Sequence, residues 1–447
     1  MSKRQGPRVV DLEIEMLGAD GFGVAQFEHH TVHVKGALPG EVVSARVVRR
    51  RRGSWYALPE QWLVTTGLRA TPACDAFMRC GGCSMQHLTI DGQLALKQRW
   101  LIDQLNAVGV VAQSVLTPVR GPQYYYRRRA RLAVRSVRDT GELLVGFRES
   151  FGNRVARLKS CCVLAQPFSN ELPALANLIG GLDARETIPQ IEAATGDDTA
   201  ALILRHVEPL SADDRRALMA YQRSTNIRVL CQPGGYDSIV DLAGAPAQLL
   251  SYRLDGFGVA LWFHPADFIQ VNAPVNADLV ATAIGWLGIE PGDRVVDLFC
   301  GIGNFTLPLA RRGATVLGLE GADELVQRGR ANASRNGLSG RARFETADLY
   351  AQPLDKSVIS ALGGVQKILL DPPRTGAGAV LALLATSKVE RIAYVSCHPV
   401  SFARDAAVLR NAGFALSKVR VFDMFPHTTH VETLGVFERS RSGRWSD

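Results

Sequence analysis

The stretch "ERIAYVSCHPVSFARD", Glu390 to Asp405, sets Cys397 directly behind an apolar run and in front of His-Pro. A thiol so placed can serve as a nucleophile, a metal ligand or core filler. As a nucleophile it needs activation, because a thiol with an ordinary pKa of about 8.5 is only a few per cent thiolate at neutral pH. Seven other cysteines compete for these roles: Cys74, Cys80, Cys83, Cys161, Cys162, Cys231 and Cys300. In "CDAFMRCGGC", Cys74, Cys80 and Cys83 have C-x5-C-x2-C spacing, with Gly81 and Gly82 letting the loop wrap. With a fourth thiolate from "KSCCVL", this set suits zinc or a [4Fe–4S] cluster, and spacing does not choose between them. The spacing is not the C-x3-C-x2-C of radical enzymes, so radical chemistry is disfavoured. Cys231 in "NIRVLCQP" and Cys300 inside a glycine loop read as packed thiols.

Acidic residues supply the second chemical pattern. "RVVDLFCGIGNFTLPLA" reads as strand, glycine turn and helix, with Gly301 and Gly303 admitting a ligand close to the backbone. A dinucleotide fingerprint would need glycine where Thr306 stands. The following apolar runs end on Glu320 in "VLGLE", Asp348 in "FETAD" and Asp371 in "ILLDPPR". Ligands of a doubly wound sheet lie beyond the carboxyl ends of its strands. Three acids there, without a run of phosphate-cradling donors, suit a cationic, phosphate-free nucleoside such as S-adenosylmethionine, with Glu320 facing ribose hydroxyls. Cys397 ends the strand after "DPP" and so falls on the same edge.

A cysteine beside a methyl donor suits one kind of acceptor. C5 of a pyrimidine is a poor nucleophile until a thiolate adds to C6 and makes C5 an enolate carbon. A base must then remove the C5 proton before the thiol can leave. "DMFPHTTHVETLGVF" offers His427, His430 and Glu432, and residue chemistry alone leaves that choice open. Pro399 opens a turn into "VSFARDAAVLRNAG", whose helix N-terminus would favour a thiolate at Cys397.

These residues need elements to hold them. A chain of 447 residues exceeds one core, and three textures follow one another along it. Residues 1–63 alternate as short strands with tight turns, giving an OB-like β-barrel. Residues 64–262 hold the cysteine cluster and mix strands ("RARLAVRSV", "LLVGFR", "AALILRHV") with helices such as "SADDRRALMAYQR", giving an α+β domain. A helix over about 93–115 is expected to pack on the third unit. Residues 263–447 alternate apolar strands with helices, the pattern of a Rossmann-like doubly wound sheet, making the chain multidomain α/β.

The formal net charge is +8, and arginines cluster in "RVVRRRRGSW" (Arg46, Arg49, Arg50, Arg51, Arg52) and "YYYRRRARLAVR" (Arg127, Arg128, Arg129, Arg131, Arg135). Arginine forks with tyrosine faces suit phosphates and unstacked bases, so RNA is the expected partner. No secretory h-region and no apolar run of 18 residues is present, so a cytoplasmic protein without a membrane partner is expected. A monomer with no obligate protein partner is expected as well.

Together the motifs "CGGCSMQH", "YYRRRARL", "FIQVN", "DLFCGIGNF", "LDPPRTG", "VSCHP" and "DMFPHTTHVE" resemble those of the RNA uracil-5-methyltransferases, over nearly the whole chain. They are most similar to the bacterial 23S rRNA branch with an N-terminal TRAM domain and an iron–sulphur cluster. The resemblance implies S-adenosylmethionine-dependent methylation of a uridine in 23S rRNA, flipped out of its fold. It implies Cys397 as nucleophile, Glu432 as base, and Gln270, Phe299, Asn304, Glu320, Asp348 and Asp371 as cofactor contacts. Cys74, Cys80, Cys83 and Cys161 would hold a [4Fe–4S] cluster. That cluster is expected to be structural, because the reaction transfers no electrons. Two positions depart from the pattern: Cys162 stands where proline is usual, and His398 where asparagine is frequent. A tRNA uracil methyltransferase and a non-catalytic RNA-binding protein with a redox-sensing cluster are the alternatives.

Overall fold

The computed structural model describes residues 9–51, 53–137, 139–351, 364–378, 380–384 and 387–439, so Arg52 of the first basic run lies outside the described residues. Among the described residues no helix is long and apolar enough to cross a membrane.

Alternating residues make the first unit a sheet. In Val9–Glu13, Val10 and Leu12 are buried while their neighbours face solvent. Six strands from Val9–Glu13 to Ser54–Val64 form one sheet around Val32, Val34, Val43, Ala45 and Ala57. Its exposed end carries Arg49, Arg50 and Arg51, with Arg50 lying 4.5 Å over the Trp55 ring. Buried Glu41 receives the Arg69 Nε at 2.7 Å and ties the sheet to the chain that follows.

A second six-stranded sheet contains Arg129–Ser136, Leu143–Gly146, Gln190–Thr195, Ala200–Arg205 and Ile227–Gln232, with Val240–Asp241 at one edge. Here the second arginine run departs from the expected RNA face. Antiparallel register sets Arg131 opposite Glu192, and both Arg131 and Arg129 pair with that carboxylate at 2.9 and 3.0 Å. Arg128 pairs with Asp197 at 2.7 Å, so much of the run neutralises acids of its own chain.

The third unit is an eight-stranded sheet, introduced in chain order with its helices. Its elements are α1 (Ile90–Ala107), β1 (Ser114–Val119), α2 (Ala273–Leu287), β2 (Arg294–Leu298), α3 (Thr306–Arg311), β3 (Thr315–Glu320) and α4 (Asp323–Arg335). They continue with β4 (Ala342–Thr346), β5 (Lys367–Leu370), β6 (Arg391–Ser396), α5 (Pro399–Asn411), β7 (Phe414–Phe422) and β8 (Glu432–Arg439). The strand order is β4-β3-β2-β5-β6-β8-β7-β1. Strands β2 to β6 run parallel, whereas β8 lies antiparallel between β6 and β7. The order reverses between β2 and β5, which makes a crevice at their carboxyl ends.

Chain upstream of the second sheet completes the third. Strand β1 pairs in parallel with β7, and α1 packs on α5 and β7. The expected helix over 93–115 is therefore shorter: it ends at Ala107, and Gly109, at φ 69°, turns the chain toward β1.

Candidate active site

The glycine loop after β2 is built for close approach. Phe299, Gly301 and Gly303 have φ of 63°, 53° and 101°. A Cβ on Gly303 would lie 2.9 Å from the Phe344 ring, so both conformation and space require glycine there. The loop amides orient an acid. Gly301 N–H donates to Glu320 at 3.0 Å, and Gly321 and Ala322 N–H donate to its other oxygen at 2.8 and 3.2 Å. Below the loop, Thr306 donates its hydroxyl to Asp297 at 2.6 Å, and burial pushes that carboxyl up to about 8.

The crevice is a cavity of about 550 Å³. Gln270, Phe299, Asn304, Glu320, Asp348 and Asp371 all line it, together with Cys397 and Glu432. Asp348 stands two residues beyond β4 and Asp371 one beyond β5, so the acids sit in the loops rather than on the last strand residues. Asn304 is committed to the scaffold: its Oδ1 accepts from Tyr252 and Asn276 at 2.9 Å each, and its amide donates back to Asn276 at 3.0 Å. Burial raises Asp371 to about 7, with the Gln270 amide pulling the other way.

Cross-strand register joins the two residues the sequence leaves far apart. Strands β6 and β8 pair Val395 with Leu434 and Ser396 with Thr433. Cys397 and Glu432 are the next residues outward from the last of these pairs, which brings them close together at the sheet's end. Both side chains then border the cavity. Burial pushes the Cys397 thiol up to about 11, helped by Glu432 and Asp371 and opposed by Arg374. Burial and Asp371 hold Glu432 well above the usual carboxylate range, so this corner favours protons until positive charge enters.

Sequence reading missed Arg374. Its guanidinium lines the cavity, lowers the Cys397 thiol and lies 3.2 Å from His430 Nδ1. The preceding "DPP" was a visible signal for the loop, but nothing in it marked the arginine. Burial and Arg374 push His430 down to about 4, so it is neutral near pH 7. His427 is absent from the cavity wall, and its ring stacks on Tyr124 at 5.2 Å. Of the three candidate bases, Glu432 follows the last β6–β8 pair as Cys397 does, and its charge acts on the Cys397 thiol. His398 caps α5: its Nδ1 accepts the Ser401 N–H at 3.3 Å. It thereby does what an asparagine would do at that position.

The cluster cysteines also come together. Cys74, Cys80, Cys83, Cys161 and Cys162 line one small cavity of about 10 Å³, walled by Phe77, Phe147 and Leu158. Among the described residues no group of three or more His, Cys, Asp or Glu side chains is arranged to hold a metal ion. The metal-holding arrangement expected of Cys74, Cys80, Cys83 and Cys161, for zinc or for a [4Fe–4S] cluster, is therefore not found among the described residues. Instead a hydrogen bond between Cys162 and Cys74 lowers the Cys74 thiol and raises that of Cys162, while burial pushes Cys80 to about 11 and Cys83 to about 12. Cys162, which the sequence pattern sets aside, faces the same space as Cys161.

Comparison with known proteins places the chain in a family. The 23S rRNA (uracil(1939)-C(5))-methyltransferase RlmD of Alkalilimnicola ehrlichii is 45% identical over 440 residues, covering 98% of each chain. This chain belongs to the RlmD family. The RlmD of Hahella chejuensis is 41% identical, covering 96% of this chain and 97% of that one. The family model described as tRNA (Uracil-5-)-methyltransferase matches residues 258–441, which span β2 to β8. The fold is shared with the Pyrococcus abyssi tRNA (uracil-54, C5)-methyltransferase solved with S-adenosyl-L-homocysteine. That structure has a TM-score of 0.72 at 23% identity, covering 96% of this chain and 99% of its own. The RlmD-family chain thus combines an N-terminal β-rich unit with a C-terminal methyltransferase fold.

Proposed function

We propose that this protein is a cytoplasmic enzyme that methylates C5 of a uridine in 23S rRNA, using S-adenosylmethionine. Cys397 and Glu432, brought together at the wall of an acidic cavity just beyond the last β6–β8 pair, carry the reading. The residues present fit the cofactor: Glu320 has both oxygens aimed by loop amides, Asp348 and Asp371 add negative charge, and Phe299 adds an aromatic wall. When bound, the cofactor supplies an electrophilic methyl group and a positive charge.

Each chain residue then has a task. Glu320 would accept from the cofactor's ribose hydroxyls, and Gln270 hydrogen-bonds Asp371 at the cavity wall. Arg374 favours the Cys397 thiolate by its positive charge. The thiolate forms an S–C6 bond, and the C5=C6 electrons move onto C5 and the C4 carbonyl. C5 would take the methyl group that the bound cofactor supplies, the S–CH3 bond breaking with its electron pair kept by the donor sulphur. Glu432 then accepts the C5 proton, the C5=C6 bond re-forms and the S–C6 electrons return to sulphur. Electrons balance without a redox partner.

The TRAM-like reading of residues 1–63 and a [4Fe–4S] cluster on Cys74, Cys80, Cys83 and Cys161 belong to the same proposal. The thiol donor set and its apolar wall support the cluster. A cubane distributes its thiolates over separate irons, so they need not meet at a single point. It would act as a crosslink between residues 74–83 and 161. Iron content and visible absorbance of anaerobically purified protein test this directly.

RNA containing 5-fluorouridine tests the reaction, since no C5 proton can leave. A denaturation-stable adduct that requires the methyl donor is expected with wild type. Its formation by Cys397→Ala would refute the mechanism.

A further inference from the structure

The segment before Glu432 is held by chain from far upstream. Strand β7 ends at Phe422, which pairs with Glu432, so residues 423–431 form a loop whose interior no ladder fixes. Lys97 of α1 reaches into it. Its ammonium donates to Asp423 at 2.6 Å and to the Phe425 carbonyl at 2.9 Å, and both charged side chains are fully buried. One helical turn earlier, Gln93 accepts the His427 N–H at 2.8 Å, and its amide lies 3.3 Å from His427 Nδ1. The same amide donates to the Met85 and Leu88 carbonyls at 2.9 and 2.8 Å.

Two further contacts come from the cysteine loop and the tyrosine run. Ser84 and Met85, just after Cys83, both donate their N–H to the His427 carbonyl at 2.9 Å. Tyr126 donates its hydroxyl to the Pro426 carbonyl at 2.9 Å. His427 itself has φ 65°, a left-handed conformation that a non-glycine residue keeps only when its surroundings impose it. The loop these contacts fix carries Phe425 and His430 on the cavity wall and delivers Glu432.

We propose that Lys97 and Gln93 are positioning residues for proton removal: through residues 423–427 they set where Glu432 stands beside Cys397 at the cavity wall. The inference rests on the reading of Glu432 as the base. A buried ion pair is a poor device for stability alone, since apolar residues of similar size usually serve as well. What it adds is direction, because the ammonium bonds a side chain and a backbone carbonyl of one loop at once. Proton transfer demands that direction, as a misplacement of about 1 Å costs on the order of a hundredfold in rate.

The test separates the two halves of the reaction. The double variant Lys97→Met with Asp423→Leu removes both charges and leaves no unpaired ion, and Glu432→Gln serves as the benchmark. In full-length enzyme with S-adenosylmethionine, the double variant is expected to bind the cofactor and trap 5-fluorouridine RNA as wild type does. On ordinary uridine RNA it is expected to accumulate a denaturation-stable adduct, as Glu432→Gln does, with release slowed on the order of a hundredfold. Wild-type turnover without adduct would overturn the inference. So would a parallel fall in cofactor binding, trapping and turnover, or a variant that does not fold, since each marks a role in the fold alone. Failure of wild type to trap 5-fluorouridine RNA would instead remove the proposed reaction, and the inference with it.

Discussion

Cys397 and Glu432 are two acids whose protonated forms the cavity favours, and the reaction needs both as anions. Burial and mutual repulsion with Asp371 create this state, and the cofactor's positive charge would relieve it. The sign of a pH effect follows. Asp371 rises from an ordinary 3.8 to about 7 in the fold, so between these values the native protein holds a proton that the unfolded chain has released. Stability is present below the lower value and lost as pH rises through the higher one. Cofactor-free protein is therefore expected to melt at a lower temperature at pH 8 than at pH 5.5, with Asp371→Asn reducing the difference. S-adenosylmethionine affinity is expected to rise over the same interval, because the ionised carboxylate attracts the sulphonium. Calorimetry across pH checks both, and a pH-independent affinity would contradict them. Glu432→Gln is expected to form the adduct and fail to release it, lowering turnover by roughly 10²–10⁴-fold.

Elements decide which of these residues could be read in advance. Glu320, Asp348 and Asp371 were legible because parallel strands buried on both faces appear as continuous apolar runs, and ligand groups follow them. Cys397 was legible for the same reason. Glu432 was not, beyond family resemblance, because its place depends on β8 inserting antiparallel between β6 and β7. The tyrosine and arginine run was read as an RNA face, yet its acids, Glu192 and Asp197, lie on chain that folds back from beyond the next helix. Tyr126 likewise finds its carbonyl at Pro426. A testable consequence concerns α5. His398→Ala removes the cap at Ser401 and is expected to cost about 1 kcal/mol in denaturant unfolding, whereas His398→Asn keeps an N-cap acceptor and loses less. Equal losses for both would show that the ring does something other than cap.

At the scale of the molecule, residues 80–126 bind distant units together. The cysteine loop touches the His427 carbonyl, α1 packs on α5, and β1 finishes the sheet that holds Cys397. Damage to the cysteine cavity is therefore expected to be felt as lost stability and misplacement of the loop before Glu432. Cys80→Ala is expected to lower iron content and melting temperature together, and an unchanged melting temperature with iron lost would refute a structural cluster. Arg49, Arg50 and Arg51 are exposed, and we propose them as the stronger RNA surface. Replacing all three with alanine is expected to weaken RNA binding and flatten its salt dependence by up to roughly three charges, measured by titration at several salt concentrations. The central claim is that Cys397 opens C6 of a 23S rRNA uridine to methylation, and trapping followed by peptide and nucleotide mapping tests it most directly. One adduct is expected, formed with 5-fluorouridine-containing 23S rRNA and not with tRNA, joining Cys397 to a methylated 5-fluorouridine. An adduct at another residue, or one that survives Cys397→Ala, would contradict it.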